Sequence, residues 1–426
     1  MDPVRALRRV LYRAAKSDRR RRFHALYDKL ARKDVLARAW ADVRANRGAP
    51  GVDGLTIEVV ERSGPDAFLE GLAARLRAKT YRPSPVRRVE IPKPGRPHEA
   101  RPLGIPTLAD RVVMTAAKIV LEPIFEPDFL QVSYGFRPKR SAHQATEAVR
   151  VAANRGLEWV LDADIASCFD EIDHEALMAR AERRVSDRDM LKLLRSWLRA
   201  GVFEGGIVSR MEAGTPQGSP LSPLLANVAL SALDERWATV GGRLGELVRY
   251  ADDLVVLCAT RERAEAARLQ VAAVLATLGL RLSPEKTTIV RLTRGSEGFD
   301  FLGFQMRKRE SRKWPGRYYL HRWPSARSMR RVRAKVRALT RRRPYAGQPL
   351  EVVVANLNPV LRGWGEYFRR GNSAQKFSAV DHYVNQRMAM LASAKHGLRG
   401  GNWTTRFDHR WVSGLGVYRL SGTVRY

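Results

Sequence analysis

Apolar residues recur at two different spacings along the chain, and these spacings predict where helices and strands form. Near the N terminus Val4, Leu7, Leu11 and Ala14 share one face of a basic segment, which predicts an amphipathic helix. A second helix is predicted over residues 34–46. Both segments are polar on their other faces, so each is expected to cover a core with one side and to face solvent with the other.

The middle of the chain alternates predicted strands with predicted helices. Strands are predicted at residues 86–92, 158–165, 247–250 and 254–260, and helices at residues 108–129, 224–237 and 261–280. Asp173 is the predicted N-cap of a further helix. Strands and helices interleaved around a central hairpin predict an α+β sandwich of the split βαβ kind.

Beyond residue 310 the pattern becomes more helical and more basic. Met329, Val332, Val336 and Leu339 stand at helical spacing, with Arg or Lys at most positions between them. The segment is predicted to be an amphipathic helix with an apolar seam and a cationic face. A merely solvated surface is the plainer interpretation, but this density of arginine favours contact with phosphate.

The charge of the whole chain favours a polyanionic partner. Its 426 residues allow two or three domains, and 77 Lys and Arg against 44 Asp and Glu give a net charge of +33. Nucleic acid is the expected partner rather than a membrane, because no apolar run approaches ~18 residues. Cys168 and Cys258 are the two cysteines, so no disulfide framework or cysteine zinc site is expected, and an intracellular, cytoplasmic location is predicted.

Acidic residues cluster in this basic chain at two places. Tyr250-Ala251-Asp252-Asp253 lies between two predicted strands, and Asp164 ends another strand in the segment LDADIASCFD. Aspartates are common turn and cap residues, which is the ordinary explanation. Carboxylates on the ends of neighbouring strands can also hold two divalent cations ~3.5–4 Å apart for phosphoryl transfer. On the residues alone both interpretations stay open.

Several short motifs of the chain resemble the sequence blocks of a known family. YADD, preceded by DIASCFD and by GTPQGSPLSPLLANVAL, resembles the catalytic blocks of reverse transcriptases in their usual order. NRGAPGVDG, YGFRPKRSAHQA, LGLRLSPEKT and FDFLGF resemble blocks of bacterial group II intron-encoded reverse transcriptases, and LNPVLRGWGEYFR resembles their maturase signature. The resemblance extends from about residue 20 to about residue 395.

This resemblance implies a right-hand polymerase fold, with fingers and a split βαβ-type palm followed by a helical thumb or maturase domain. The expected parts are a basic N-terminal extension with the first fingers block, the fingers and palm, the thumb or maturase domain, and a short basic tail that binds DNA, at residues 1–85, 86–310, 311–395 and 396–426. The tail holds no cysteine. A zinc-supported nuclease is therefore not expected there, and His409 is expected to be structural or to face phosphate.

The resemblance also implies a catalytic centre with two Mg²⁺ ions, for which Mn²⁺ can substitute. Asp164 and Asp252 are expected to ligate the metals, with Asp253 beside them. Lys286, after LSPE, matches the lysine proposed to protonate the leaving pyrophosphate.

Five residues are expected to bind the incoming nucleotide. Lys93 and Arg101 match basic finger positions that grip the triphosphate, and Phe169 matches the aromatic steric gate that excludes a 2′ hydroxyl. Gln217 and Gly218 match the turn that abuts the nascent pair. Surface solvation is the plainer interpretation for the two cations, and core packing is the plainer one for Phe169.

Cations outside the catalytic blocks are expected to bind RNA and DNA through shape and phosphate contacts. The candidates are Arg137, Lys139, Arg140, Arg330, Arg331, Arg333, Lys335 and Arg337. The aromatic trio Trp364, Tyr367 and Phe368 is expected to pack rather than to stack on bases.

The function implied is an RNA-directed DNA polymerase that binds group II intron RNA, assists its splicing and copies it into DNA during retrohoming. Its partners would be intron RNA and an RNA template, a DNA primer or target, and dNTPs, with no membrane; the bacterial nucleoid is the expected place when target DNA is bound. Two alternatives are a reverse transcriptase recruited to host DNA repair or phage defence, and a splicing-only maturase. The sequence leaves the oligomeric state open.

Overall fold

The computed structural model describes residues 2–93, 96–204, 207–209, 212–215, 218–293, 295, 297–341, 345, 347–396 and 406–425, apart from the side chains of residues 93, 96–99 and 101. The helices, numbered α1 to α15, span Pro3–Ser17, Lys33–Ala45, Ile57–Ser63, Pro65–Arg77, Leu108–Phe125, Ala142–Asn154, Cys168–Glu171, His174–Glu182, Arg188–Leu198, Ser222–Thr239, Arg261–Ala276, Ala326–Leu339, Leu350–Phe368, Ala374–Lys395 and His409–Gly414. The strands, numbered β1 to β11, span Val86–Lys93, Arg96–Ile105, Trp159–Asp164, Val202–Glu204, Ile207–Ser209, Glu246–Tyr250, Asp253–Cys258, Thr288–Arg291, Gly298–Phe301, Phe304–Glu310 and Tyr318–Pro324.

The described residues divide into two compact units. The first contains residues 1–145 and 161–289, and the second contains residues 146–160 and 290–426. The domain boundaries that the sequence predicts, at residues 85/86, 310/311 and 395/396, are functional divisions and stay predictions.

The first unit contains one four-stranded sheet and most of a second. In one, the strand order is β2–β1–β4–β5, and the long pair β1 and β2 runs antiparallel. In the other, the order is β6–β7–β3–β8, and β6 pairs with β7 antiparallel. The second sheet carries both acidic motifs, because β3 ends at Asp164 and the β6–β7 turn contains Asp252.

Two helices of the first unit are buried on most of their faces. In α5, residues such as Val113, Ala117 and Leu121 have no exposed surface, and in α10 the same holds for Leu230 and Leu233. Helices that are apolar on most faces belong in the centre of a protein rather than at its surface. These two helices therefore form the core of the unit.

The second unit contains a three-stranded sheet with the order β11–β10–β9 and helices α12 to α15. The predicted packing of the aromatic trio is confirmed: the Phe368 ring lies 4.9 Å from Trp364 and 4.8 Å from Tyr367, measured between centroids, and 4.8 Å from Phe304. The described part of the tail packs here too, since Asp381 accepts hydrogen bonds from the backbone N–H groups of residues 420 and 421.

Most predicted elements are present, and the differences lie at their ends. The helix predicted over residues 108–129 ends at Phe125, close to Pro127, which has no N–H to continue the helical hydrogen bonds. The helix predicted over residues 261–280 ends at Ala276, shortly before Gly279, which has a φ of +70°. Asp173 caps α8 as predicted, accepting a hydrogen bond from Ala176 N at 2.7 Å.

The N-terminal helix buries Val4, Leu11 and Ala15, so its apolar seam passes through Ala15 rather than Ala14. The cationic helix α12 buries Met329, Val332 and Val336 as predicted. Among the described residues, no helix is both long enough and apolar enough to span a bilayer.

Candidate catalytic and nucleic-acid-binding site

The YADD segment forms the tight turn of the β6–β7 hairpin. Tyr250 pairs with Asp253, which leaves Ala251 and Asp252 as the two residues of the turn. Ala251 is buried and has a φ of +58°, a backbone conformation that glycine adopts far more readily than alanine. Asp252 is half-buried and Asp253 is exposed, so the turn presents two carboxylates at the end of the sheet.

Asp164 ends strand β3, which is the neighbour of β7 in the same sheet. The backbone carbonyl of Asp164 accepts a hydrogen bond from Ser283 N at 2.8 Å, and its carboxylate lies 2.6 Å from the ammonium of Lys286. The loop that follows α11 is therefore held against the end of β3. This arrangement places Lys286, predicted from LSPEK, directly at the acidic site.

The buried thiol of Cys168 reports that the carboxylates converge. The pKa of this thiol is raised to about 12, chiefly by burial and then by the negative charges of Asp252, Asp164 and Asp170, while the Arg249 cation lowers it. These groups thus lie within electrostatic range of one atom. Asp164 and Asp252 are 88 positions apart in sequence, and the strand that ends at Asp164 lies beside the strand that follows Asp252.

The donor atoms of this site fit a hard divalent cation. Asp164 and Asp252 offer carboxylate oxygens, the ligands that Mg²⁺ prefers, and Asp164 already pairs with the positive charge of Lys286. Among the described residues no three of His, Cys, Asp and Glu are grouped closely enough to hold a metal. A site with two carboxylates suits Mg²⁺, which is usually held by one or two carboxylates together with substrate phosphates.

The blocks DIASCFD and GTPQG meet beside this site. Phe169 is half-buried in the short helix α7, and its carbonyl accepts a hydrogen bond from Thr215 N at 2.5 Å. A Cβ on Gly214 would lie 2.5 Å from the carbonyl oxygen of Asp170, so only glycine fits there. The steric-gate role of Phe169 stays a prediction.

The other nucleotide-binding candidates are only partly described. Gln217 lies outside the described residues, as do the side chains of Lys93 and Arg101, although Arg101 pairs with Ile91 in the β1–β2 ladder. Gly218 has a φ of +105°, and a Cβ there would lie 2.5 Å from the carbonyl oxygen of Gly104. Close packing of two backbone segments is thus one reason for this glycine.

Among the candidates for nucleic-acid contact, Arg137 is buried. Its side chain is 4% exposed, and its guanidinium pairs with Glu126 at 2.8 Å. It also donates to the backbone carbonyls of Phe129, Leu130 and Ser133. With its donors engaged inside the protein, Arg137 fixes the loop of residues 129–133 instead of facing phosphate.

The remaining candidate cations are placed differently. Lys139 is exposed, whereas Arg140 is half-buried, donates to Gln131 and lies over the ring of Tyr134. On α12 the candidate cations are all exposed, while the apolar seam is buried; they are Arg330, Arg331, Arg333, Lys335 and Arg337. This helix therefore presents the cationic face that the sequence predicts.

The sequence interpretation missed a group of buried residues beneath the YADD turn. Arg249 and Asp234 are both fully buried and form a salt bridge, and Asn227 and Gly135 lie beside them. An arginine between apolar residues in LVRY and an aspartate in the apolar helix ALSALDERW were the signals available. Neither residue alone indicates a buried salt bridge, because the two partners lie in different elements, the strand β6 and the helix α10.

Comparison with known proteins gives two family matches. Residues 91–306 match the model of the reverse transcriptase (RNA-dependent DNA polymerase), and residues 329–411 match the maturase-specific domain of group II introns. Protein YkfC of Escherichia coli K12 is 34% identical over 348 residues, covering 72% of this chain and 90% of that protein. The group II intron-encoded protein LtrA of Lactococcus lactis is 38% identical over 213 residues, covering 50% of this chain and 35% of that protein.

Two solved structures are similar to parts of this chain. A partial Cas6-RT-Cas1–Cas2 complex has a TM-score of 0.39 at 28% identity, covering 59% of this chain and 41% of that one. Telomerase from Candida albicans has a TM-score of 0.42 at 14% identity, covering 74% of this chain and 59% of that one. Because the family models match both the sheet with the acidic site and the helical C-terminal part, this chain belongs to the reverse transcriptases, the RNA-dependent DNA polymerases, and carries the maturase-specific domain of group II intron proteins.

Proposed function

We propose that this protein extends a DNA primer on an RNA template, with Asp164 and Asp252 holding two Mg²⁺ ions. The observation that carries the proposal is the convergence of these carboxylates at the ends of neighbouring strands β3 and β7. When bound there, the ions supply activation of the primer 3′ hydroxyl and neutralisation of the charge on the leaving pyrophosphate. Asp253, exposed next to Asp252, adds negative charge at the same end of the sheet.

The residues around the carboxylates have roles of their own in this proposal. Lys286 holds a proton on Nζ, 2.6 Å from Asp164, where it can neutralise that carboxylate before substrate binds and donate to pyrophosphate afterwards. Phe169, five residues after Asp164 and held through its carbonyl by Thr215, would lie under the sugar and exclude a 2′ hydroxyl. Lys93, Arg101, Gln217 and Gly218 would contact the nucleotide.

We further propose that the second unit binds group II intron RNA and supports its splicing. The exposed cations of α12 and the matched maturase-specific domain support this role. Contacts with phosphates would position the RNA without reading its sequence. In the bacterial cytoplasm the same protein would then copy the intron RNA into DNA from a primer at the target site.

Primer extension on an RNA template tests the catalytic proposal. Wild type, Asp252→Ala and Asp66→Ala are compared with dNTPs and Mg²⁺; Asp66 is an exposed carboxylate in the first turn of α4 and serves as the matched control. We expect Asp252→Ala to fall below about one-thousandth of the wild-type rate, which corresponds to roughly 4 kcal/mol in the activation barrier. Asp66→Ala should extend the primer at the wild-type rate.

RNA binding is measured on the same three proteins by filter binding. Asp252→Ala should keep wild-type affinity, because the proposed RNA contacts are the exposed cations of α12 and not the acidic turn. Extension that survives in Asp252→Ala contradicts the assignment of the metal site. A folded wild type that binds RNA but does not extend the primer contradicts the polymerase and leaves splicing support as the function.

A further inference from the structure

The guanidinium of Arg249 is the centre of a buried network directly beneath the YADD turn. The side chains of Arg249 and Asp234 are both 0% exposed, and two nitrogens of the arginine donate to the two carboxylate oxygens at 2.8 and 2.5 Å. Arg249 also donates to Asn227 Oδ1 at 3.1 Å and to Ser133 Oγ at 2.8 Å. Burying two charges is costly unless such bonds satisfy them, so the network holds Arg249 in one position.

One further bond connects this network to the metal-binding turn. Arg249 Nη1 donates to the backbone carbonyl of Ala251 at 3.0 Å. That carbonyl belongs to the peptide group that joins Ala251 to Asp252. The bond therefore fixes the orientation of this peptide group, and with it the direction of the Cα–Cβ bond of Asp252. Ala251 has a left-handed backbone conformation, which is unfavourable for a residue with a Cβ, and the bond from a buried charged donor offsets that cost.

The segment of residues 132–135 supports the turn from its other side. Arg249 N donates to the carbonyl of Val132, and Tyr134 N donates to the carbonyl of Arg249, each at 2.8 Å. Asn227 Nδ2 donates to the carbonyl of Gly135 at 2.8 Å, which ties this segment to α10. The segment therefore continues the sheet beside β6 and is anchored to the same helix as Asp234.

Gly135 touches the turn itself. A Cβ on Gly135 would lie 2.4 Å from Ala251 N and 2.9 Å from the carbonyl carbon of Tyr250. Both atoms are backbone, so they cannot rotate away as a side chain can. Gly135 does not have a positive φ. A glycine is therefore required at this position by the close contact with the turn and not by the backbone conformation of residue 135.

We infer that Arg249, Asn227 and Gly135 are positioning residues that set the place of Asp252 relative to Asp164, and thereby the affinity of the site for divalent metal. The inference rests on the proposed function, since it assumes that these carboxylates bind the ions. Residues that orient metal ligands typically change metal affinity 10- to 100-fold when they are replaced. A turn displaced by even about 1 Å would cost activity by a factor of about 100.

Mn²⁺ binding gives a measurement that does not depend on turnover. Protein is mixed with an RNA template, a chain-terminated DNA primer and the matching dNTP, and bound Mn²⁺ is counted by electron paramagnetic resonance during a titration. Wild type, Asp252→Ala and Gly135→Ala are compared. Gly71→Ala is the matched control, because a Cβ on this α4 glycine meets nothing within 4 Å.

We expect the Mn²⁺ dissociation constant to rise about 10- to 100-fold in Gly135→Ala and to stay at the wild-type value in Gly71→Ala. The Mg²⁺ concentration for half-maximal primer extension should rise by a similar factor. If Gly135→Ala folds and binds Mn²⁺ like wild type, the inference is wrong. If wild type binds no more Mn²⁺ than Asp252→Ala does, the proposed metal site itself fails, and the two failures are distinguishable.

A double variant tests Arg249 without leaving a buried charge unpaired. In Arg249→Met with Asp234→Leu both charges are removed together, a change that often leaves a fold stable. The control is Arg180→Met with Glu235→Leu, because Arg180 also binds α10, through Val228 O, Ser231 Oγ and Glu235. We expect weaker Mn²⁺ binding in the first double variant alone. Equal Mn²⁺ affinity in the two folded variants would overturn the positioning role of Arg249.

Discussion

Two sets of arginines, one in each unit, have opposite environments in this protein. In the first unit Arg249 is fully buried and Arg137 is 4% exposed, and both donate to carboxylates and to backbone or side-chain oxygens. In the second unit α12 presents a row of exposed cations over a seam of buried Met329, Val332 and Val336. Buried arginines thus hold the acidic turn and its neighbouring loop, while exposed arginines are available to a polyanion.

A positive charge in this chain therefore cannot be assigned to RNA binding by composition alone. Arg137 lies in the basic motif YGFRPKRSAHQA and was expected to contact nucleic acid, yet its partners are Glu126 and three backbone carbonyls. A buried arginine should affect the stability of the fold when it or its partner is replaced. An exposed arginine should affect affinity for RNA, and above all the dependence of that affinity on salt.

The largest expected effect on stability is that of Asp234→Ala. The variant leaves the Arg249 charge buried without its carboxylate, which should destabilise the first unit by about 3–5 kcal/mol. Thermal unfolding and hydrogen exchange of peptides from β6 and β7 measure the loss. Wild-type protection of these peptides would contradict the view that the buried pair holds the hairpin.

A smaller loss of stability is expected for Arg137→Met. The variant removes the salt bridge to Glu126 and the bonds to the carbonyls of residues 129, 130 and 133, and we expect a cost of about 2–3 kcal/mol. Glu126 is 17% exposed and can recover part of its hydration, so the cost should stay below that of Asp234→Ala.

Filter binding at several salt concentrations tests whether Arg137→Met also changes the affinity for RNA. For Arg137→Met the slope of log affinity against log salt should equal that of wild type. A slope reduced by about 1, with unchanged stability, would restore Arg137 as a phosphate ligand.

The smallest effect on stability is expected when the exposed face of α12 is neutralised. In the triple variant Arg330→Gln, Lys335→Gln and Arg337→Gln, thermal unfolding should change by less than about 0.5 kcal/mol. The salt slope of RNA binding should fall by about 2–3, because three phosphate contacts are lost.

The control for this triple variant removes the same charge elsewhere. Arg261, Arg263 and Arg268 are exposed on α11, where Glu262 and Glu265 stand among them. Their replacement by Gln should leave the salt slope near the wild-type value. An equal fall of the slope in both triple variants would mean that net charge, and not the α12 face, governs RNA binding.

The sequence by itself determined most elements and the catalytic candidates. Periodicity gave the strands around Asp164 and Asp252, the seam of α12 and the cap at Asp173, because these depend on neighbours within a few residues. The motif spelling and order in YADD, DIASCFD and GTPQG gave the enzyme class, which the family matches confirm. The predicted packing of Trp364, Tyr367 and Phe368 was also confirmed.

The tertiary structure alone decided which charges are buried and what they hold. Arg249 and Asp234 are 15 positions apart, and Arg249 and Ser133 are 116 apart, so no local pattern reports that they share one network. Arg137 and Lys139 are two positions apart in one motif, yet the first is buried and the second is exposed. Burial is a property of the packed core, where the desolvation of a charge is balanced only by partners that the chain brings together on folding.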